Sequence, residues 1–430
     1  MTKKNALILT LIFQGIVLPA IASDSLLQNG DRVAICGDSI TAQKLYSLYL
    51  ENYFLMCKPA SNLEAVQLGQ GGEVTWGFMG RMVSDVLPFK PTVATVCYGM
   101  NDGGYSSINP QTRKRYHDSL MVIVKRFQEN GVRLVVVSSP GVVDSITYDI
   151  RNANRSTKAA EYNEALGDLG EAAESVVQEA GPGVVFANTH ANMMTFMASA
   201  KAKRGEAYHV GGADGVHPAA NGHLVMAYSM LKALGCDGDI GVITYDSNKA
   251  QASSSAGHKV ISASNGVIEI ESSRYPFCFF GDPADPTSTR GAIDFLPFNE
   301  ELNRFMLKVT NAPAKGMKVT WGKESKAFSA SQLEEGINLA SEFLDNPFCE
   351  PFQKVQAAVQ AQQDYEGMAV YGILRPIGWW RKELFSDPKD LQAIDQISQT
   401  TLAKAQTLQE KASAAVVPVR HQIRLDAITL

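Results

Sequence analysis

Between residues 31 and about 236, short apolar runs alternate with stretches whose apolar residues recur at helical spacing. The runs are Val33–Cys36, Ala65–Leu68, Val93–Tyr98, Leu134–Val137 and Val184–Ala187, each nearly continuous in apolar character. Such runs suit strands of a parallel sheet covered by helices on both faces, where neither set of alternating side chains meets water. The intervening stretches carry helix signals. Asn109-Pro110 supplies an N-cap and a proline at the first helical position. Tyr116, Leu120, Ile123 and Phe127 then form one stripe, and Asn130-Gly131 ends it. A second stripe runs through Tyr162, Leu166, Leu169, Ala173 and Val177, and Ala219 to Leu234 reads as the closing helix. This succession predicts an α/β domain over 24–240, a three-layer α/β/α sandwich with right-handed crossovers.

The pattern changes after Gly241. A Ser/Ala-rich connector, Ala252 to Gly257, precedes Val260–Ala263, Asn265-Gly266 and Val267–Ile270, the signature of a hairpin with a tight turn. Phe305–Val309 and Met317–Trp321 read as a second strand pair around Pro313 and Gly316. These elements predict a small β-rich domain over 245–345. The helical period then returns at Phe352, Val355 and Val359, and again at Leu391, Ile394, Leu402, Ala405 and Leu408. That predicts a helical C-terminal region over 346–430.

A chain of 430 residues exceeds one ordinary core, so several domains are expected. The formal net charge of -5 and the lack of a basic stripe argue against a nucleic-acid partner. At the start, Lys3 and Lys4 precede the apolar run Ala6 to Leu18 and then Pro19-Ala20-Ile21-Ala22. This is the layout of a secretory signal peptide over 1–22, and it predicts a secreted or periplasmic protein. A membrane anchor is the competing reading, but the run is short for a bilayer span and Gln14 interrupts it. No later segment is apolar and long enough to span a membrane. The six cysteines are widely scattered, which disfavours a disulfide scaffold while leaving a single bridge open. Cys36 and Cys97 fall in predicted strands, where a thiol acts as a small hydrophobe. Oligomeric state is not encoded in any of these patterns.

Three clusters lie just past predicted strand ends, Gly37-Asp38-Ser39, Gly69-Gln70-Gly71-Gly72 and Gly99-Met100-Asn101-Asp102, and a fourth, Asp214-Gly215-Val216-His217, lies after the fifth strand and before the closing helix. In a parallel sheet all four therefore gather at one carboxyl edge, where ligands bind. The residue types point to nucleophilic catalysis. Ser39 is a hydroxyl that needs a base, His217 is an imidazole suited to take its proton, and Asp214 sits three residues earlier to orient that ring. The oxyanion of such a reaction needs donors, for which the Ser39 N–H, the Gly72 N–H and the Asn101 amide are candidates. Asp38 and Asp102 read as loop braces, and His209 and His223 as structural or solvent-facing. His190, His209, Asp214, His217 and His223 lack the tight helical spacing of a zinc site, and Asp237–Asp239 and Asp282–Asp285 read as solvated loops. Trp76 could line a pocket and Trp379-Trp380 could stack on sugar rings, although tryptophans are more often packed.

With these blocks in this order, the sequence resembles the SGNH (GDSL-type) hydrolase superfamily over about residues 31–236. The family's Ser, Gly, Asn and His correspond to Ser39, Gly72, Asn101 and His217, with Asp214 as partner acid. Gly69 and Gly71 compete with Gly72 as donor, and Gln67 stands where the family often has asparagine. The resemblance implies a flavodoxin-like, five-stranded parallel sheet. It also implies ester hydrolysis through an acyl-serine intermediate, with no metal or other cofactor. Together with the export signal, this predicts a serine esterase acting on a small-molecule or carbohydrate O-acyl ester, acetyl among them. An O-acyltransferase with the same triad and a non-catalytic glycan- or partner-binding protein on the same scaffold remain as alternatives. The resemblance does not extend to the β-rich and helical regions.

Overall fold

The computed structural model describes residues 25–149, 151–152, 155–383 and 386–428, so the leader read at 1–22 lies outside the described residues. Five strands form the first sheet: β1 (Arg32–Gly37), β2 (Glu64–Gln67), β3 (Val93–Cys97), β4 (Leu134–Ser138) and β5 (Val184–Ala187). All pairings are parallel and the order is β2-β1-β3-β4-β5, the flavodoxin-like order of a doubly wound sheet. Alternation along β1 sorts the core into two layers. Val33 and Ile35 join one apolar cluster with Leu50, Phe54 and Leu224. Ala34 and Cys36 join the other with Phe78, Leu120, Phe127 and Leu169. The predicted stripe is buried as read: Tyr116, Leu120, Ile123 and Phe127 face the sheet from the Pro110–Glu129 helix, which Asn109 caps by accepting the Thr112 N–H at 2.9 Å. Burial pushes the Cys36 and Cys97 thiols up to about 12, consistent with their packing as small hydrophobes.

Two further sheets follow. β6 (Asp239–Asp246), β7 (Gln251–Ser254), β10 (Arg304–Thr310) and β13 (Ile337–Asn338) form one, in the order β13-β10-β6-β7. The strands β8 (His258–Ser264), β9 (Val267–Ser272), β11 (Met317–Trp321), β12 (Glu324–Phe328) and β14 (Val419–Ala427) form the other, in the order β12-β11-β14-β9-β8. The β8–β9 hairpin turns at Asn265-Gly266, both at positive φ, as a tight primed turn requires. The reading of Phe305–Val309 and Met317–Trp321 as one strand pair is corrected. β10 pairs in parallel with β6, whereas β11 pairs with β12 and β14, so Pro313 and Gly316 carry the chain between sheets.

The C-terminal region is helical from Cys349 to Glu383 and over Pro388–Ala414, and then ends in a strand that the helical reading missed. β14 lies between β9 and β11, so the helices are an excursion from a sheet that the chain returns to finish. Its inward residues include His421, packed among Trp321, Phe305 and Phe348. Burial pushes His421 down to about 3, and Trp321 Nε1 donates to its Nδ1 at 3.1 Å. The Cys349–Ala369 helix covers the edge strand of the first sheet. Glu366 Oε2 accepts the Gln67 N–H at 2.8 Å and Gln362 Nε2 donates to the Ala65 carbonyl at 3.1 Å. An edge strand otherwise presents unpaired backbone groups that template foreign strands.

Candidate active site

β1 ends at Gly37, and Asp38 caps the short Ser39–Ala42 helix by accepting the Ile40 N–H at 3.0 Å. This turn places Ser39 at the carboxyl edge of the sheet with its side chain half-buried. The loop before the Ala220–Ala233 helix supplies the other two members. Asp214 Oδ1 accepts the Val216 and His217 N–H groups, each at 2.9 Å, so the carboxylate folds its own turn. The same turn aims Oδ2 at His217 Nδ1, 2.7 Å away, and leaves His217 Nε2 2.8 Å from Ser39 Oγ. Partial burial works against ionisation of Asp214, but the two N–H donors and the imidazole outweigh it and hold the carboxyl below its usual range. Gly212 makes the loop possible. Its φ is +61°, and a Cβ there would sit 2.1 Å from the His217 carbonyl oxygen. Buried Asp144 anchors the loop by accepting the Val210 N–H at 2.9 Å and donating its own N–H to the Gly215 carbonyl.

The second cluster follows β2. Gly69 is wedged against the Ser39 helix, since a Cβ on it would lie 2.5 Å from the Ala42 nitrogen. The Gln70 N–H is spent on the Gly37 carbonyl and the Gly71 N–H on the Tyr371 hydroxyl. Of the three competing glycines, Gly72 is therefore the one that neither packing nor a described hydrogen bond commits. The third cluster follows β3. Asn101 Nδ2 donates one N–H to the Glu73 carbonyl at 3.1 Å, and Tyr105 Oη donates to Asn101 Oδ1 at 3.2 Å. Together they fix which way the amide faces, and the amide nitrogen has a second N–H.

Asp38 and Asp102 do not touch the imidazole chain; each braces a loop. Burial pushes Asp38 up to about 7 and raises Asp102, which accepts the Thr75 N–H at 3.0 Å. His223 is buried and pushed down to about 3, first by burial and then by the charge of His217. Its Nδ1 accepts the Tyr46 N–H at 3.2 Å, so Nε2 carries the proton and donates to Gln43. Trp76 and Trp379 are each 55 % exposed, on the Thr75–Arg81 and Arg375–Glu383 helices. Among the described residues, no group of three or more His, Cys, Asp or Glu side chains converges as metal ligands would.

Sequence reasoning missed the supports behind these loops. Arg81 is buried, pairs with Glu73 at 2.6 and 2.7 Å, and donates to the Leu68 carbonyl at 2.7 Å. Tyr98 Oη donates to the same Glu73 carboxylate at 2.7 Å. A Glu eight residues before an Arg carries no motif, so only the fold reveals the pair. Tyr371 was invisible because it lies 300 positions from its partner.

The GDSL-like lipase/acylhydrolase family matches this chain over residues 35–225. No curated protein matches it. Among solved structures, the chain is similar to BT4096, described as a gut microbial diltiazem-metabolizing enzyme. That likeness has 22% identity and a TM-score of 0.71, and it covers 94% of this chain and 100% of that one. It therefore takes in the later sheets and helices as well as the first domain. Axe2, an acetylxylan esterase from Geobacillus stearothermophilus, matches at 18% identity with a TM-score of 0.38, covering 48% of this chain and 95% of that one. LAE5, from the metagenome of Lake Arreo, matches at 19% identity with a TM-score of 0.40, covering 49% and 98%. The part of the chain that carries all four clusters, residues 35–225, is thus a GDSL-like lipase/acylhydrolase domain, a domain of ester-bond hydrolases.

Proposed function

We propose that the chain is an exported serine esterase that removes a small O-acyl group, acetyl foremost, from a carbohydrate or other bulky alcohol. The observation that carries this reading is the unbroken chain from Asp214 Oδ2 through both ring nitrogens of His217 to Ser39 Oγ, at 2.7 and 2.8 Å. Ser39 Oγ attacks the ester carbonyl while His217 Nε2 takes its proton. Asp214 holds the ring in the tautomer that leaves Nε2 free to accept, and it stabilises the imidazolium that forms. The Ser39 N–H, the Gly72 N–H and the Asn101 amide receive the developing oxyanion. His217 then returns the proton to the leaving alkoxide, and water reverses the sequence to free Ser39.

The openness of the site supports a bulky alcohol component. The side chains of Asp214 and His217 are 46% and 35% exposed, and Gly71 and Gly72 are exposed as well. The export half of the proposal rests on Lys3, Lys4 and the apolar run that follows. The test offers the purified protein p-nitrophenyl acetate, longer acyl esters and acetylated oligosaccharides. Wild type turns over the short esters and Ser39→Ala loses that turnover. Turnover by Ser39→Ala equal to wild type contradicts the reading, and glycan retention without cleavage points to a binding protein.

A further inference from the structure

The helical excursion reaches the loop after β2 through Tyr371. Tyr371 lies in the Val370–Leu374 turn of the long C-terminal helix, and its hydroxyl oxygen accepts the Gly71 N–H at 2.9 Å. Gly71 and Gly72 are exposed, and a Cβ on either would meet nothing within 4 Å. Two adjacent unpacked glycines are the most freely moving backbone a rim can have. The neighbouring Glu73 N–H reaches the Gln70 carbonyl only at 3.4 Å, so the loop's own turn holds it weakly.

Tyr371 is itself held. The Arg375 guanidinium lies 5.0 Å from its ring centroid, and Arg375 donates to the fully buried Asp85 at 2.8 and 2.9 Å. Arg81 stands 3.8 Å from the same carboxylate and ion-pairs with Glu73, whose carbonyl accepts from Asn101. The contacts run from Gly71 through Tyr371, Arg375, Asp85 and Arg81 to Glu73, which the backbone through Gly72 closes into a ring, and Asn101 is attached to it at the Glu73 carbonyl. That ring passes beside both oxyanion donors that do not belong to Ser39.

We propose that Tyr371 is a positioning residue: by fixing the Gly71 N–H, its hydroxyl sets the direction in which the Gly72 N–H meets the oxyanion. This rests on the serine-esterase reading above. The appended helix is then a working part of the hydrolase. A group that only positions a donor acts on the transition state, where the oxyanion exists, and leaves ground-state binding nearly unchanged.

The test uses the full chain as wild type, Ser39→Ala and Tyr371→Phe. Phenylalanine keeps the ring and its contact with Arg375 and removes only the acceptor oxygen. Four quantities are measured: kcat and KM on p-nitrophenyl acetate, the rate of inactivation by a fluorophosphonate, and the melting temperature. In the inactivation the Oγ–P bond forms, the P–F bond breaks with loss of fluoride, and the serine proton passes to His217. The phosphoryl oxygen occupies the oxyanion position. Tyr371→Phe is expected to lower kcat about tenfold, less than the hundred- to thousandfold cost of losing a donor outright. KM stays within about twofold, inactivation slows by the same factor as kcat, and the melting temperature shifts by less than about 2 °C. A wild-type kcat and inactivation rate in Tyr371→Phe overturns the proposal, as does an effect on KM alone, which would make Tyr371 a binding wall. Either result leaves the esterase reading standing if Ser39→Ala is inactive. Activity in Ser39→Ala brings down both.

Discussion

The first domain and the region appended to it are built by opposite strategies. In the first, loops after the strands deliver the clusters to one edge, and the partners within a cluster are close in sequence. Asp214 and His217 sit three residues apart and share one turn. In the second, β14 completes a sheet whose other strands lie about a hundred residues or more earlier, after a helical excursion across the first domain. Function and stability are separable on this plan. The reacting side chains stand on partly exposed loops at the rim, while the appended region is held by contacts between distant segments.

That contrast predicts that rim substitutions cost rate without stability. Ser39→Ala is expected to lower kcat about 10⁴-fold or more, and Asp214→Asn about 10³- to 10⁴-fold, with melting temperatures near wild type. Stopped assays on p-nitrophenyl acetate beside thermal melts check both; unfolding in either variant would erase the contrast. Asn101→Ala follows at about 10²–10³ in kcat, with KM little changed.

Substitutions in the appended sheet should do the reverse. Ile423 on β14 is fully buried, and Ile423→Ala is expected to destabilise by about 2–5 kcal/mol, read as the denaturant midpoint. Its kcat per folded molecule stays within about threefold of wild type, because a cavity in the appended core leaves the rim in place. Loss of rate at full stability would show that the two regions are not divided in this way.

The seam between them gives the smallest effect. Glu51 and Glu366 are buried together where the Cys349–Ala369 helix meets the first domain. Burial, then their mutual repulsion for Glu366, raises both, Glu51 to about 7. A carboxyl raised in the folded state holds its proton more tightly there than in the unfolded chain, so stability is greatest below the unfolded value and declines as pH rises through 7. Denaturant melts at a series of pH values from about 4 to about 8 should show that decline, and Glu51→Gln should flatten it. An unchanged slope in the variant would show that the pair does not set this pH dependence.

What the sequence made legible follows the same division. All five strands of the first sheet and the Pro110–Glu129 stripe were readable because parallel strands buried on both faces are apolar throughout. That Ser39, Asp214 and His217 meet at one edge was readable because their loops follow strands of one parallel sheet. The β10–β11 pairing was misread because adjacency in sequence suggested a hairpin. β14 was missed although Val419, His421, Ile423 and Leu425 alternate with Arg420, Gln422 and Arg424. A lone strand after a long helix offers no neighbour to pair with until the fold is known. The ring through Tyr371, Asp85 and Glu73 joins residues hundreds of positions apart, and no local pattern announces it.

Locating the nucleophile tests the Ser39–His217–Asp214 mechanism most directly. The protein is incubated with a fluorophosphonate, and intact mass and peptide mapping find the adduct. One adduct per chain is expected, on Ser39, abolished in Ser39→Ala and strongly slowed in a His217→Ala variant. An adduct on another residue, or ester turnover by a chain whose Ser39 stays unmodified, would contradict the Ser39–His217–Asp214 mechanism.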